Sequence, residues 1–142
     1  MAADFRTTLA QVNLASPSIG LFDETALAIA QHIANDSDRG KMNKSTQIRK
    51  FYDEVELWNQ RVQEAADPDA ELTKQLPYIM MLRAKCAYAS SKKQPLVSRG
   101  FVDFIGRCLD QLRANPTPTT MLHAKLFFEA VLAFGKQCEA AR

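Results

Sequence analysis

The sequence contains few of the residues that build disulfide frameworks, metal sites and catalytic loops. Its 142 residues include three cysteines, two histidines and five glycines. Cys86, Cys108 and Cys138 are odd in number and widely spaced, so they predict neither a disulfide framework nor a metal-binding pair. Each lies at or beside an apolar helical position, which predicts buried, reduced thiols in a cytosolic protein.

No arrangement of polar residues indicates catalysis. The sequence has no glycine-rich phosphate-binding loop and no pair of metal ligands at helical spacing. His32 and His123 are isolated from each other along the chain. Asp53, Glu54 and Glu56 occupy neighbouring helical positions, which do not converge on one substrate. We therefore predict a protein that is not an enzyme and has no metal and no cofactor.

Membrane features are also absent from the sequence. The N-terminus has no cationic segment that leads into an apolar run, as a signal peptide would. No stretch approaches the roughly 20 apolar residues that are needed to cross a bilayer. These observations predict a cytoplasmic protein without a membrane partner.

The apolar residues recur with helical periodicity, and no alternating β-pattern occurs. The predicted helices run from Asp23 to about Asn35, from Asn43 or Ser45 to about Ala66, from Ala70 with a restart or kink at Pro77, from about Val97 to Asn115, and from Thr117 onward. We predict N-caps at Asp23, at Ser45 or Asn43, and at Thr117. The expected buried residues of the first and last of these helices are Leu27, Ala30, Ile33 and Ala34, and Leu122, Leu126, Phe127, Val131 and Phe134. We predict an all-α fold, a compact bundle of about five helices in one domain over residues 21–142.

Residues 1–20 are expected to form a flexible or extended N-terminal arm. The reason is the turn-rich run from Ser16 to Gly20 that ends this segment. The arm also carries the apolar residues Phe5, Leu9, Val12 and Leu14. They could dock on the core or on a neighbouring subunit, and the pattern does not choose between the two.

Charge is distributed unevenly, although the formal net charge is only +2. Acidic residues outnumber basic residues up to Arg39. Between Lys74 and Arg107, by contrast, Asp103 is the only acid among many bases. Such a block can attract phosphates in a nearly neutral chain. The alternative interpretation is a solvated face without a ligand.

The start of the central predicted helix combines cations with helix-capping residues. Lys44, Arg49 and Lys50 surround this start, while Ile48 and the apolar residues that follow form a stripe to be buried. The N-terminus of a helix presents free amide groups, and its dipole favours negative charge. This stretch therefore predicts a site for an anion.

Two segments also carry a resemblance to a known family. Ser45-Thr46-Gln47-Ile48-Arg49-Lys50-Phe51 resembles the signature that opens the central helix in the small subunit of type III-A (Csm-type) CRISPR interference complexes. Leu82-Arg83-Ala84-Lys85-Cys86-Ala87-Tyr88-Ala89 resembles that family's Leu-x-x-Lys-x-x-Tyr-Ala segment, and the distance between the two segments also fits.

The resemblance implies a non-catalytic small subunit of an RNA-guided effector complex that acts in antiviral defence. In that family the small subunits stack in several copies beside the backbone subunits and hold the target strand through its sugar-phosphate backbone. The implied partners are target RNA and guide RNA, the backbone and large Csm-type subunits, and further copies of the chain stacked head to tail. Base pairing supplies the sequence specificity in such a system, so the protein needs only cations, hydroxyls and amides at phosphate spacing.

Carried over by position, the predicted RNA contacts lie in and around the two segments. They are Lys41, Lys44, Ser45, Gln47, Arg49, Lys50, Arg83, Lys85, Lys92 and Lys93. Arg49 and Lys85 lie inside the matching motifs and lead this set. The alternative for Arg49 is a structural role in which it pairs with Asp53 one turn further along the helix.

A helix face with Met81, Lys85, Tyr88 and Lys92 offers a second kind of contact. An aromatic ring between two lysines provides a stacking surface next to phosphate contacts. The alternative is that Tyr88 packs at the edge of the core while the lysines extend into water.

The charge gradient of the central helix, basic at its start and acidic toward Glu64, suits head-to-tail stacking, but it also suits solubility alone.

Two other classes of function remain open. A helical adaptor that binds only protein would use the basic block against an acidic partner. A small helical enzyme or sensor would use Cys86 or His123, and it would show turnover or thiol reactivity in the isolated protein.

Overall fold

The computed structural model describes residues 4–141 and places most of them in helices. The elements are α1 (Phe5–Ala10), a π-helical turn (Leu21–Thr25) that continues into α2 (Ala26–Asn35), α3 (Ser45–Glu64), α4 (Pro68–Ser91), α5 (Arg99–Ala114) and α6 (Pro118–Ala140). No strand occurs within residues 4–141. The all-α prediction is confirmed, and α2 to α6 are the five helices that the periodicity predicts.

Phenylalanine rings from two helices form the centre of the core. Phe101 and Phe104 of α5 meet Phe127 and Phe128 of α6, and all four side chains are fully buried. The rings of Phe104 and Phe128 lie 5.4 Å apart at 85°. Edge-to-face contact of this kind adds to the roughly 2 kcal/mol that the burial of one such side chain contributes. Around this centre, α6 packs against α2 and α3, and α4 packs against α3 and α5.

Three helices begin with a side-chain cap. Asp67, Ser98 and Thr117 accept hydrogen bonds from backbone amides in the first turns of α4, α5 and α6 at 3.1–3.3 Å. Proline follows Asp67 and Thr117 at the first helical position, where its missing N–H costs nothing. The predicted cap at Thr117 is therefore confirmed.

The predicted caps of the first two long helices are wrong. Asp23 lies inside the π-helical turn, because the amide of Thr25 donates to the carbonyl of Gly20 and winds the chain before α2 begins. At α3 the residue in the cap position is Lys44, and its side chain makes no capping bond. Ser45 is the first helical residue.

Helix α4 passes through Pro77 without the predicted restart. Pro77 lies inside one continuous helix from Pro68 to Ser91. Proline removes one backbone hydrogen bond from the ladder. Buried Leu72 and Ile79 anchor the helix to the core on both sides of Pro77, and this packing offsets the local loss.

The buried faces of α2 and α6 differ in part from those that periodicity predicts. Helix α2 buries Ala26, Ile29, Ala30 and Ile33, whereas Leu27 and Ala34 are only partly buried. Helix α6 buries Met121, Ala124, Phe127, Phe128 and Val131, whereas Leu122, Leu126 and Phe134 are only partly buried. Because α6 contacts α2, α3 and α5, its apolar residues cover a broad sector. The neighbouring helices decide which part of that sector is most deeply buried.

The N-terminal arm packs on the core of its own chain. Leu9, Val12 and Leu14 are buried in the same cluster as the long helices. The ring of Phe5 stacks on the imidazole of His32 with the ring centroids 3.7 Å apart.

Polar contacts hold the arm at the end of α1 and beyond it. Arg107 of α5 donates hydrogen bonds to the carbonyl oxygens of Ala10 and Val12 at 3.0 and 2.8 Å. Nδ1 of His123 lies 2.6 Å from the carbonyl oxygen of Leu14. The two histidines, which are isolated from each other in the sequence, therefore both contact the arm. His32 stacks on a ring of the arm, and His123 makes a polar contact with its backbone.

The loop between α2 and α3 depends on the buried side chain of Asn43. Its amide nitrogen donates to the carbonyl of Ile33 and to the hydroxyl of Ser98, both at 2.9 Å, and its amide oxygen accepts from the backbone N–H of Ser98 at 2.9 Å. Its own backbone N–H donates to the carbonyl of Leu96 at 3.0 Å. Asn43 has a φ of 59°, in the left-handed region that asparagine tolerates better than most residues. One residue thus joins the end of α2 and the start of α5 through its side chain, and the loop after α4 through its backbone.

We expect Asn43→Ala to lower the free energy of unfolding by about 2–4 kcal/mol, because it leaves buried backbone groups unpaired and places alanine at positive φ. Urea denaturation of the full chain measures the change. Asn35→Ala is the matched control, since Asn35 is exposed. Equal small losses in the two variants would contradict the role given to Asn43.

Candidate nucleic-acid interface

Lysines from two loops meet at one end of the bundle. Lys41 and Lys44, from the loop before α3, and Lys93, from the loop after α4, line one open hollow together with Asp38. We call Lys41, Lys44 and Lys93 the lysine cluster. The two loops are held together by the hydrogen bond from Asn43 to Leu96. Cations that are about fifty positions apart in the sequence therefore face the same space.

The lysine cluster is weakly compensated by acidic side chains. Lys41 lies 4.0 Å from Asp38, and both side chains are largely exposed. Within the described part of the chain, Lys44 and Lys93 form no salt bridge. Their charges are therefore available to an external anion.

The N-terminus of α3 already holds a carboxylate of the same chain. The backbone N–H and the hydroxyl of Ser45 each donate to Glu139 of α6 at 3.0 Å. A carboxylate at this position is stabilised by the free amides and by the helix dipole. The C-terminal part of α6 thus occupies the helix N-terminus at which the sequence predicts an anion.

The next predicted residues lie on the first turns of α3. Gln47 is half-buried, and Lys50 is exposed. Nε of Arg49 lies 3.7 Å from the carboxylate of Asp53, and its guanidinium carbon lies 5.9 Å from the centre of the Tyr52 ring. The structural pairing left open by the sequence is therefore present, although an exposed pair of this kind contributes at most about 1 kcal/mol.

Lys85 lies on a different face of the bundle from the lysine cluster. Its ammonium group donates to both oxygens of Glu54 on α3 at 2.9 and 3.0 Å. The pair links α3 to α4, and about half of the Lys85 side chain remains exposed. An RNA phosphate would have to share Lys85 with Glu54.

Arg83 points into a groove between α1, α4 and α5. Its guanidinium donates to the carboxylate of Asp110 at 2.6 Å and lies next to Gly106. A Cβ atom at Gly106 would stand 3.1 Å from that guanidinium, so glycine gives it room. The groove is also lined by Arg6, Arg99 and Arg107. Sequence reasoning did not select these three as site residues, although Arg99 and Arg107 belong to the basic block that it identified.

Lys92 and Tyr88 form a contact at the exposed side of α4. The ammonium nitrogen of Lys92 lies 5.1 Å from the centre of the Tyr88 ring. The Tyr88 side chain is 68% exposed, so the ring does not pack at the edge of the core. Of the two interpretations of this ring, the structure supports the exposed one.

The structure therefore divides the predicted contacts among several surfaces. Those at the lysine cluster and the first turns of α3 share one end of the bundle, where Lys92 also lies. Arg83 and Lys85 lie on other faces of α4, and each pairs with a carboxylate.

Titratable groups with shifted pKa values favour their protonated forms where they are buried. Burial raises the pKa of the Cys86 thiol to about 12, with Glu54 adding to the effect, and burial likewise raises the pKa of the Cys108 thiol to about 12. Burial and hydrogen bonds to Glu129 and Glu56 raise the pKa of the Tyr52 hydroxyl, which lies 2.7 and 2.9 Å from their carboxylates. A reactive nucleophile requires the opposite shift.

Two hydrogen bonds lower the pKa of the Glu129 carboxyl, the one from Tyr52 having the larger effect and the one from Lys125 the smaller.

Among residues 4–141, no group of three or more His, Cys, Asp or Glu side chains is placed to hold a metal ion. No helix in the same range is both long and apolar enough to cross a membrane.

The fold and the lysine cluster together describe a small helical bundle with a cationic end. Residues 23–140 match the family model described as Csm2 Type III-A, which covers most of the 142 residues. The chain belongs to the Csm2 Type III-A family, the small subunits that are structural components of type III-A CRISPR interference complexes. Membership implies that it assembles with other Csm subunits. Comparisons with curated proteins and with solved structures returned no match.

The burial and raised pKa values of Cys86 and Cys108 predict which thiols react in the folded protein. At about pH 8 we expect Ellman's reagent to modify Cys138, which is only half-buried, in the folded protein, while Cys86 and Cys108 react only after unfolding. The rate of colour release with and without denaturant measures this. Cys138→Ser is the control and should remove the fast phase. Rapid modification of Cys86 or Cys108 in the folded chain would show that burial does not suppress their reactivity.

Proposed function

We propose that this chain is a non-catalytic subunit that stacks in several copies in its complex and holds the duplex of target RNA and guide RNA by the sugar-phosphate backbone. The lysine cluster carries this proposal. Lys41, Lys44 and Lys93 come from two loops and converge on one hollow with only one carboxylate, that of Asp38.

Unpaired cations at a protein surface are the groups that bind RNA phosphates. Each phosphate contact releases condensed counterions, so its contribution to affinity falls as the salt concentration rises. Such contacts position the nucleic acid without reading its sequence. This suits a subunit whose ligand is selected by base pairing to a guide.

The remaining predicted contacts add to the lysine cluster, some at the same end of the bundle and some on other faces. Lys50 lies further along α3, and Lys92 is the residue that follows the last turn of α4. Arg49, Lys85 and Arg83 join when a phosphate replaces or shares their carboxylate partner, which an exposed pair permits at little cost. Ser45 and Gln47 contribute beside them, with Ser45 shared between Glu139 and the backbone of the RNA.

A second part of the proposal concerns the stacking of copies. Helix α3 extends about 30 Å, so its two ends are well separated. The lysine cluster lies at its start, whereas Glu64, Asp69 and Glu71 lie around its end and the beginning of α4. Opposite charges at opposite ends favour head-to-tail contact between copies. The complex would act in the cytoplasm, where the RNA is found.

The central prediction concerns duplex RNA. We expect Lys44→Ala/Lys93→Ala to weaken binding of a labelled RNA duplex by about tenfold, and to reduce the slope of log affinity against log salt by about one for each phosphate that is no longer neutralised. Fluorescence anisotropy on the isolated full chain over a salt series measures both. Arg61→Ala/Arg113→Ala is the matched control, since it removes equal charge from exposed positions at the other end of the bundle.

Two further outcomes separate the candidate functions. Arg49→Ala/Lys85→Ala should reduce affinity less than the lysine variant, because both cations are already paired. Equal losses in the lysine variant and in the control would mean that net charge alone attracts RNA. If no variant changes RNA binding but the lysine variant no longer enters the reconstituted complex, the chain is a protein-binding adaptor.

Charge reversal tests the stacking. We expect Glu64→Lys/Asp69→Lys to lower the number of copies in the reconstituted complex, because like charges would then face each other. Native mass spectrometry measures the copy number. Adding Lys44→Glu/Lys93→Glu to the same chain restores opposite charges and should restore the copy number. An unchanged number in the first variant would show that these charges do not hold the stack.

A further inference from the structure

One face of α4, continued by the residue that caps its C-terminus, carries three lysines interspersed with three large apolar side chains. Successive members are separated alternately by four and three positions, which places all of them on one side of a helix. They are Lys74, Tyr78, Met81, Lys85, Tyr88 and Lys92, and we call them the α4 stripe.

The α4 stripe is not part of the core. Tyr78, Met81 and Tyr88 are 62%, 53% and 68% exposed. The buried face of α4 is formed by other residues, including Leu82 and Cys86. Among the described residues the large apolar side chains with such exposure are few, and three of them lie on this one stripe. An exposed apolar grouping of this kind marks a binding surface.

The lysines of the stripe lie next to its rings. The ammonium group of Lys92 stands 5.1 Å from the centre of the Tyr88 ring. Lys85, between the two tyrosines, holds Glu54 but stays about half exposed. No carboxylate belongs to the stripe itself.

We infer that the α4 stripe binds unpaired nucleotides of RNA, with bases stacked on Tyr78 and Tyr88 and phosphates held by the lysines. Base stacking on an exposed aromatic ring is independent of sequence, and neighbouring cations hold the backbone. The inference rests on the proposed function, since it adds an unpaired strand to the RNA duplex that the lysine cluster holds. Lys92 lies directly before Lys93, so the two surfaces adjoin.

The composition of the stripe argues against a helix of another protein as the occupant. The alternating spacing is also that of a coiled-coil seam, but such a seam requires apolar residues at nearly every position. Three of the six positions of the α4 stripe are lysines. From Lys74 to Lys92 the stripe extends about 27 Å. This is enough for about four nucleotides, the lower end of the site sizes of single-strand binders.

The test combines two double variants of Tyr78 and Tyr88 with one change in the RNA, the removal of its bases. Tyr78→Leu/Tyr88→Leu keeps apolar volume but removes the rings, and we expect it to weaken binding of labelled single-stranded oligoadenylate by about five- to one-hundred-fold. Tyr78→Phe/Tyr88→Phe keeps the rings and should bind as the unchanged chain does. Against an abasic strand of the same length, the leucine variant should bind as well as the unchanged chain, because no bases are there to stack.

Matched controls separate failure of this inference from failure of the proposed function. Ile19→Ala changes an exposed apolar residue outside the stripe and should have no effect. If Lys44→Ala/Lys93→Ala weakens duplex binding but the leucine variant binds oligoadenylate normally, the α4 stripe is not an RNA site and the lysine cluster stands. If the leucine variant loses oligoadenylate binding but Lys44→Ala/Lys93→Ala binds the duplex normally, the α4 stripe is an RNA site and the lysine cluster is not.

An unchanged chain that binds no oligoadenylate at low salt would overturn the inference. Loss of entry into the reconstituted complex without loss of RNA affinity would overturn it as well, because it would make the stripe a protein contact.

Discussion

Asn43 joins segments that are far apart in the sequence: its side chain contacts the end of α2 and the start of α5, and its backbone N–H contacts the loop after α4. Its amide nitrogen donates to two acceptors and its amide oxygen accepts from one donor inside the protein, where an unpaired group would cost about 1–3 kcal/mol. Its left-handed backbone turns the chain into α3. Because Lys41 and Lys44 flank it and Lys93 belongs to the loop that it contacts, the shape of the cationic end depends on this residue.

The cations of the molecule differ in how much of their charge is available. Arg83, Lys85 and Arg49 each have a carboxylate partner, and in all three cases the pair is largely at the surface. Water screens such pairs, so exchanging a carboxylate for a phosphate changes little in free energy. Lys44 and Lys93 have no such competition within the described residues. The strength of RNA binding should therefore depend more on the unpaired lysines than on the cations inside the family motifs.

The carboxylate of Glu139 stabilises the fold at the start of α3, and it also occupies groups that could otherwise bind an external anion. Glu139 accepts hydrogen bonds from the amide and the hydroxyl of Ser45, and it fixes the last turns of α6 against α3. The backbone amides at this end are thereby used inside the chain. Lysine side chains, which reach further into solvent, are left to contact an external strand. The α4 stripe differs in kind, since it offers ring faces beside its charges.

Periodicity and capping chemistry by themselves determined the all-α fold, the number of long helices, the cap of α6 at Thr117 and the common helix face of Met81, Lys85, Tyr88 and Lys92. Each of these follows from residues within a few turns of one another. Only the tertiary structure decided which sector of α6 is buried, that α4 continues through Pro77, and that the arm docks on its own core. It also decided which carboxylate meets Ser45 or Lys85, because those partners lie far away in the sequence. Helix propensity acts locally, whereas packing and ion pairing depend on which surfaces the folded chain brings together.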